Sequence, residues 1–187
     1  GTEGEIRRKM IERGLVEAIV ILPRNLFYST DISVTLWILN ANKKARVVYR
    51  NEEEIHYRDR EKEILFIDMR QMGEPFEKKY VRFTDENIRK VADTYHNWQR
   101  EGHTETYTDM PEFCKSVSMD EEGGIADKGF SLVPSKYIEF VNRDESVDYD
   151  TRMKELQSEL ADILRQEAKS RESVLNVFKS LGYEIEL

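Results

Sequence analysis

Apolar positions along the 187-residue chain fall into contrasting patterns. Near the N-terminus, "EIRRKMIERGL" spaces Ile6, Met10 and Ile11 for one helical face and ends on Gly14, suited to close a helix. "VEAIVILP" and "ISVTLWILN" then run apolar over strand lengths without alternating, the pattern of strands covered on both faces. The loop between them is polar except for an adjacent aromatic pair, Phe27 and Tyr28. A helix, a strand, a loop and a strand read as the edge of an α/β sheet. Two such strands cannot form that sheet alone, because each needs neighbours and cover. This opening stretch is therefore expected to be the end of something larger.

Further along, "VVYR" and "EEIHYR" read as a short hairpin, and "EILFIDMRQMG" as a strand closed by Gly73. "FTDENIRKVADTYHNWQRE" is an amphipathic helix with Thr84 or Asp85 as N-cap and Ile88, Val91, Ala92, Tyr95 and Trp98 on one face. "FCKSVS" predicts another strand, "MDEEGGIADKGF" a turn-rich connector, and "SLVPSKYIEF" an extended segment broken by Pro134. "VNRDESVDYD" is an acidic linker. From Thr151 onward the pattern predicts a long helix or helix pair ending near Gly182. One seam holds Met153, Leu156, Leu160, Ile163 and Leu164, a second holds Val174, Leu175, Phe178 and Leu181, and "RQEAKSRES" between them is polar.

Composition narrows the function classes. With 29 basic and 37 acidic residues the net charge is −8, so a globally basic nucleic-acid binder is not indicated. Basic clusters at Arg7–Arg8–Lys9, Lys43–Lys44–Ala45–Arg46 and Lys78–Lys79 read first as solvated element ends. A single cysteine, Cys114, allows no intrachain disulfide and fits a reducing cytoplasm. No apolar run reaches membrane-span length and the N-terminus lacks a signal-peptide core, so a cytoplasmic protein is expected. His56, His96 and His103 show no metal-ligand spacing with each other or with Cys114, and Cys114 reads as packed. Asp68, ending a strand, is a candidate catalytic carboxylate, with hydrogen bonding to a turn as the plainer role. The nine glycines form no G-x-G and the four prolines no Pro-Pro pair. No self-contained catalytic constellation emerges.

The stretches "LVEAIVILPRNLFYSTDISVTLWILNANK", "EILFIDMRQMG", "FTDENIRKVADTYHNWQ", "FCKSVSMDE" and "FSLVPSKYIEF", in this order, resemble the C-terminal half of the modification subunit of type I restriction–modification systems. That family methylates the N6 of adenine in DNA. The resemblance runs from Glu5 to Leu187 and departs near Gly123–Gly124, where the family pattern expects a helix start. It implies an α/β fold: the C-terminal edge of a Rossmann-like methyltransferase sheet, made of a helix and two strands, then a small mixed α/β region and a C-terminal helical segment. The implied domains are 1–45 as the end of the catalytic domain, 46–141 as a mixed extension, 142–150 as a linker and 151–187 as a subunit-interaction segment.

The same resemblance implies that S-adenosylmethionine serves the full-length protein. The family's cofactor turn and its Asn-Pro-Pro-aromatic motif are absent from this sequence and are expected upstream, which makes the chain a truncated piece with neither cofactor-binding nor catalytic residues of its own. The family flips the target base from the duplex and holds it between aromatic faces. Phe27 sits where one stacking residue belongs, with Tyr28 beside it; the alternative is that either ring packs under the sheet edge. The implied partners are the specificity and restriction subunits of the same system, with DNA bound through the complex. Met153, Leu156, Leu160, Ile163 and Leu164 are then subunit-interface candidates, against the alternative of a helical hairpin packed on its own domain. A non-catalytic assembly module remains the rival to a methyltransferase piece.

Overall fold

The computed structural model describes residues 1–141 and 149–183. They divide into two compact units, Gly1–Val141 and a second that contains a single long helix.

The first unit is built on a four-stranded sheet in the order β2-β1-β5-β8. The strands are β1 (Val16–Ile21), β2 (Thr35–Leu39), β5 (Glu63–Asp68) and β8 (Cys114–Ser118). β1 runs parallel to β5, and β2 and β8 pair antiparallel at the two edges. β3 (Arg46–Arg50) and β4 (Glu53–Tyr57) form the expected hairpin, turned by Asn51 and Glu52 at positive φ. A second hairpin, β6 (Glu74–Phe76) with β7 (Tyr80–Arg82), has no counterpart in the sequence reading. The boundary expected at residues 45/46 falls within this unit, with β1 and β2 before it and β5 and β8 after it in the same sheet.

Side chains alternate between two cores, one on each sheet face. On one face Ile19, Ile64, Phe66 and Val117 pack with Ile11 of α1 (Thr2–Glu12), and with Ile125, Leu132, Tyr137 and Ile138. On the other, Ala18, Val20, Leu65, Ile67 and Cys114 pack with Trp98 of α2 (Asp85–Gln99). Each fully buried large apolar side chain contributes about 1.5–3 kcal/mol. α1 ends as predicted: Gly14 takes φ +66° and the Leu15 amide donates to Met10 O at 3.0 Å. Thr84 caps α2 in a reciprocal capping box with Asn87. The buried face of α2 is Thr94, Trp98 and Gln99, whereas Ile88, expected on that face, is exposed.

Two further expectations are corrected. "ISVTLWILN" is not covered on both faces: β2 is an edge strand whose Leu36, Trp37 and Leu39 are all exposed. The segment around Pro134 is not simply extended but makes a 3-10 turn over Pro134–Lys136, lying on the sheet through Tyr137, whose ring stacks on Phe66 at 4.4 Å. The connector at Gly123–Gly124 is turns anchored by fully buried Ile125. A Cβ on Gly124 would lie 2.5 Å from Ser118 O, so that position admits only glycine.

A short α3 (His103–Thr106) precedes β8. The second unit contains α4 (Tyr149–Ser180), one continuous helix of 32 residues rather than a pair, about 48 Å long at 1.5 Å per residue. It begins inside the expected linker, whose residues 142–148 lie outside the described ones. Gly182 at φ +82° closes it, with the Tyr183 amide donating to Phe178 O at 3.0 Å.

Candidate functional site

The carboxyl ends of the parallel strands β1 and β5 lie side by side, with Ile21 opposite Asp68. In open α/β sheets ligands bind beyond such ends. Here a cavity of about 560 Å³ opens among Pro23, Arg24, Asn25, Arg70, Met72 and Gly73. Asp68 is not available to it as a free base. Its carboxylate accepts from the Arg70 amide at 2.9 Å and is gripped at both oxygens by the Arg70 guanidinium, Nη2 at 2.6 Å. The turn-building role is the one the structure gives it.

The β1–β2 loop borders this cavity. Its base is closed by the Leu22 amide donating to Val34 O at 2.8 Å. Leu26 packs partly into the core beneath α2, and the chain then turns so that Thr30 N–H donates to Phe27 O at 3.4 Å. This tight turn sets Phe27 and Tyr28 outward: Phe27 is 43% and Tyr28 69% exposed. The two rings differ in setting. Tyr28 meets Tyr80 of β7 edge-on, centroids 4.5 Å apart, and lines a second groove of about 310 Å³. Among the described residues Phe27 makes no ring–ring contact, and it lines neither of these cavities.

A cluster absent from the sequence reading lies at the other end of β1. Glu17, buried, accepts from Arg60 Nη2 at 2.9 Å, Gln99 Nε2 at 3.0 Å, Asn40 Nδ2 at 2.7 Å and Tyr95 Oη at 3.0 Å. Burial alone would raise its pKa, but hydrogen bonds from Gln99 and Asn40 and the Arg60 charge outweigh it and hold the carboxyl below its ordinary value. Lys43 is buried beside it, donating to Val16 O at 2.8 Å and Glu63 O at 2.6 Å, and burial pushes its pKa down to about 8. Among the described residues no buried side-chain nitrogen or oxygen is left without a hydrogen-bond partner. The cluster joins β1, α2 and the β4–β5 connection. Its one signal in the sequence is the lone charge inside "VEAIVILP".

Among the described residues no group of three or more His, Cys, Asp or Glu side chains is placed to hold a metal. His56 sits between Glu54 at 3.1 Å and Glu101 at 3.4 Å. Cys114 is buried, and burial pushes its thiol pKa up, away from nucleophilic use. On α4 the interface candidates Met153, Leu156, Leu160, Ile163 and Leu164 are 42–61% exposed, and Val174, Phe178 and Leu181 are exposed as well. None of the described helices is long and apolar enough to cross a membrane.

This α/β architecture is shared with a solved structure of a type I restriction–modification methyltransferase subunit from Streptococcus thermophilus. The TM-score is 0.55 at 24% identity, over 74% of this chain and 24% of that one. A family model described as N-6 DNA Methylase matches residues 1–146. The chain belongs to the N-6 DNA methylase family. It is 34% identical over 183 residues to the type I restriction enzyme HindI methylase subunit of Haemophilus influenzae, covering 97% of this chain and 37% of that protein. It is 29% identical to the MjaIX methylase subunit of Methanocaldococcus jannaschii, covering 97% of this chain and 29% of that protein. The chain thus spans about a third of the length of these curated relatives, and the family read from its sequence words is the family found.

Proposed function

We propose that this chain supplies the C-terminal part of a type I restriction–modification DNA methyltransferase subunit, acting with S-adenosylmethionine on the N6 of adenine in complex with a specificity subunit. The observation that carries the reading is the aromatic pair held outward on the loop after β1, beside a cavity at the carboxyl ends of two parallel strands. A flipped base needs an exposed aromatic face on a fixed loop, and Phe27 and Tyr28 offer two.

The residues present do not fit the cofactor. The turns after β1 and β5 carry arginines, the Asp68 carboxylate is occupied by Arg70, and no G-x-G turn follows a strand. S-adenosylmethionine is therefore assigned to the part of the relatives that this chain does not span, and this chain alone is expected neither to bind it nor to transfer methyl groups. Residues 1–45 close the catalytic domain on this reading and 46–141 extend its sheet. The exposed apolar edge of β2 is then where the remainder of that sheet continues, which would give "ISVTLWILN" the cover its pattern predicts. The segment 151–187 is assigned to the specificity subunit, with the restriction subunit joining the same assembly in the cytoplasm.

Phe27→Ala in the assembled enzyme tests the reading. Base–aromatic stacking contributes about 1–3 kcal/mol, so methyl transfer should fall roughly tenfold to hundredfold with cofactor affinity unchanged. Unchanged transfer in both Phe27→Ala and Tyr28→Ala would reduce the pair to packing residues. The second reading, a module for assembly only, is favoured by the exposed α4 stripe. Methyl transfer regained when this chain is combined with the missing N-terminal part excludes it.

A further inference from the structure

The β6–β7 hairpin is built against the aromatic loop. The Val81 amide donates to Asn25 O at 3.1 Å, and Tyr80 meets Tyr28 at 4.5 Å with the ring planes 63° apart. The approach to the hairpin is tight enough to require glycine. Gly73 has φ +100°, and a Cβ there would lie 2.5 Å from Val81 Cγ1 and 3.0 Å from Arg82 O. Between loop and hairpin runs the groove of about 310 Å³, lined by Asn25, Tyr28, Ser29, Thr30, Lys79 and Tyr80.

Charge is distributed unevenly around it. Arg82 is paired with Glu74 and Arg70 with Asp68. No acidic partner is found among the described residues for Lys78 or Lys79 at the hairpin tip, and the Arg24 Nε donates only to the Asp31 backbone oxygen at 3.0 Å. Lys79 Nζ lies 5.2 Å from the Tyr80 ring centroid, which brings a cation beside the aromatic wall. Asp31 and Lys79 are the charged residues of the lining. A lysine with no acidic partner among the described residues, two hydroxyls and paired tyrosine rings in one groove are the chemistry of a single-stranded nucleotide site, where cations take phosphate and rings take the base.

We propose that the β6–β7 hairpin is the second wall of the nucleotide site, with Lys79 contacting a backbone phosphate at the displaced nucleotide and Tyr80 acting as a positioning residue that holds Tyr28. The proposal rests on the base-stacking reading of Phe27 and Tyr28. It adds an element that composition alone argued against, because the chain is acidic overall.

The assembled methyltransferase tests it with two readouts. In the first, duplex binding is measured against salt for Lys79→Ala and for Lys62→Ala, a lysine paired with Asp120 at the opposite end of β5. Losing one phosphate contact lowers the salt slope by about one and weakens cognate and random duplex alike; Lys62→Ala leaves the slope unchanged. In the second, 5-iodouracil replacing the target base is photocross-linked and the tagged peptide mapped. The loop 22–34 is tagged in the parent enzyme, Tyr80→Ala loses most of that yield, and Tyr80→Phe, which keeps the ring contact, retains it. Thermal melting of each variant separates this loss from unfolding. Lys79→Ala matching Lys62→Ala in slope, or Tyr80→Ala cross-linking at parent yield, overturns the proposal while the stacking reading stands. A parent enzyme that tags no residue of the loop overturns the stacking reading and this proposal with it.

Discussion

The first unit and α4 carry comparable apolar residues, and they differ in what covers them. In Gly1–Val141, ten buried residues fill each of two cores, and even Glu17, Arg60 and Lys43 are buried and hydrogen-bonded. In α4, Met153, Leu156, Leu160, Ile163 and Leu164 are all exposed, and the polar bonds are local pairs such as Arg171–Glu167 at 2.7 Å and Arg165–Asp162 at 2.5 Å. Such exposed pairs contribute a few tenths of a kcal/mol each. The first unit therefore draws its stability from within. α4 carries an apolar stripe at helical spacing that its own side chains leave exposed.

The largest expected effect tests the self-sufficiency of the first unit. Glu17→Ala leaves the fully buried Arg60 guanidinium without its carboxylate, and breaking a buried ion pair costs about 3–5 kcal/mol. Both tryptophans, Trp37 and Trp98, lie in this unit and none in α4. Urea unfolding followed by tryptophan fluorescence should shift to much lower urea, while the ellipticity from α4 keeps its own transition. A single shared transition for both signals would erase the contrast between the units.

The next effect concerns the stripe. Leu156→Asp with Leu160→Asp should leave the fluorescence transition of the first unit in place and weaken binding to the specificity subunit. At about 1.5 kcal/mol per lost leucine, the pair amounts to more than a hundredfold in Kd. Calorimetry with the partner measures it. Unfolding of the first unit by the same double change would make the stripe part of an internal core and break the comparison.

The sequence made α4 legible because its apolar residues recur at three- and four-residue spacings in two seams, residues 153–164 and 174–181. Its continuity through "RQEAKSRES" was not marked, although Glu, Ala, Lys and Arg there are good helix formers. β5 was legible as an unbroken apolar run and β1 as one broken only by Glu17. β2 was misread because an apolar run reports what a strand is built to touch, and its free edge has no neighbour among the described residues. The β6–β7 hairpin escaped because each strand is only three residues long, one contains Pro75, and its anchorage at Asn25 is about fifty residues away in sequence. Glu17 was visible as one charge in an apolar run. Its partners Arg60, Gln99, Asn40 and Tyr95 are scattered through polar segments that carry no local mark of burial. Phe27 and Tyr28 are marked as candidates by their setting between two strands, whereas Tyr80, which meets Tyr28, carries no such mark in the sequence.

The smallest expected effect is the pH dependence of the first unit, and it follows the same buried cluster. Glu17 and Glu63 both have folded pKa values below the ordinary 4.5, despite burial, because of their hydrogen bonds and arginine partners. The folded state therefore binds fewer protons than the unfolded chain in mild acid. Their contribution is complete above about pH 4.5 and is lost as pH falls through the folded values. On the alkaline side the sign for Lys43 is the opposite of that for a paired surface lysine. Its pKa is lowered from 10.5 to about 8, so charging it in the folded state is unfavourable near neutrality. Stability should rise as pH passes 8, by at most about 1 kcal/mol up to pH 9. Above that, Cys114 and Tyr95, whose pKa values burial raises, hold protons that the unfolded chain releases, and stability falls again. Urea midpoints by tryptophan fluorescence from pH 7 to 10 should show this shallow maximum, and Lys43→Met should remove its rising arm. A rising arm that persists in Lys43→Met would mean that another buried cation governs the unit's alkaline behaviour.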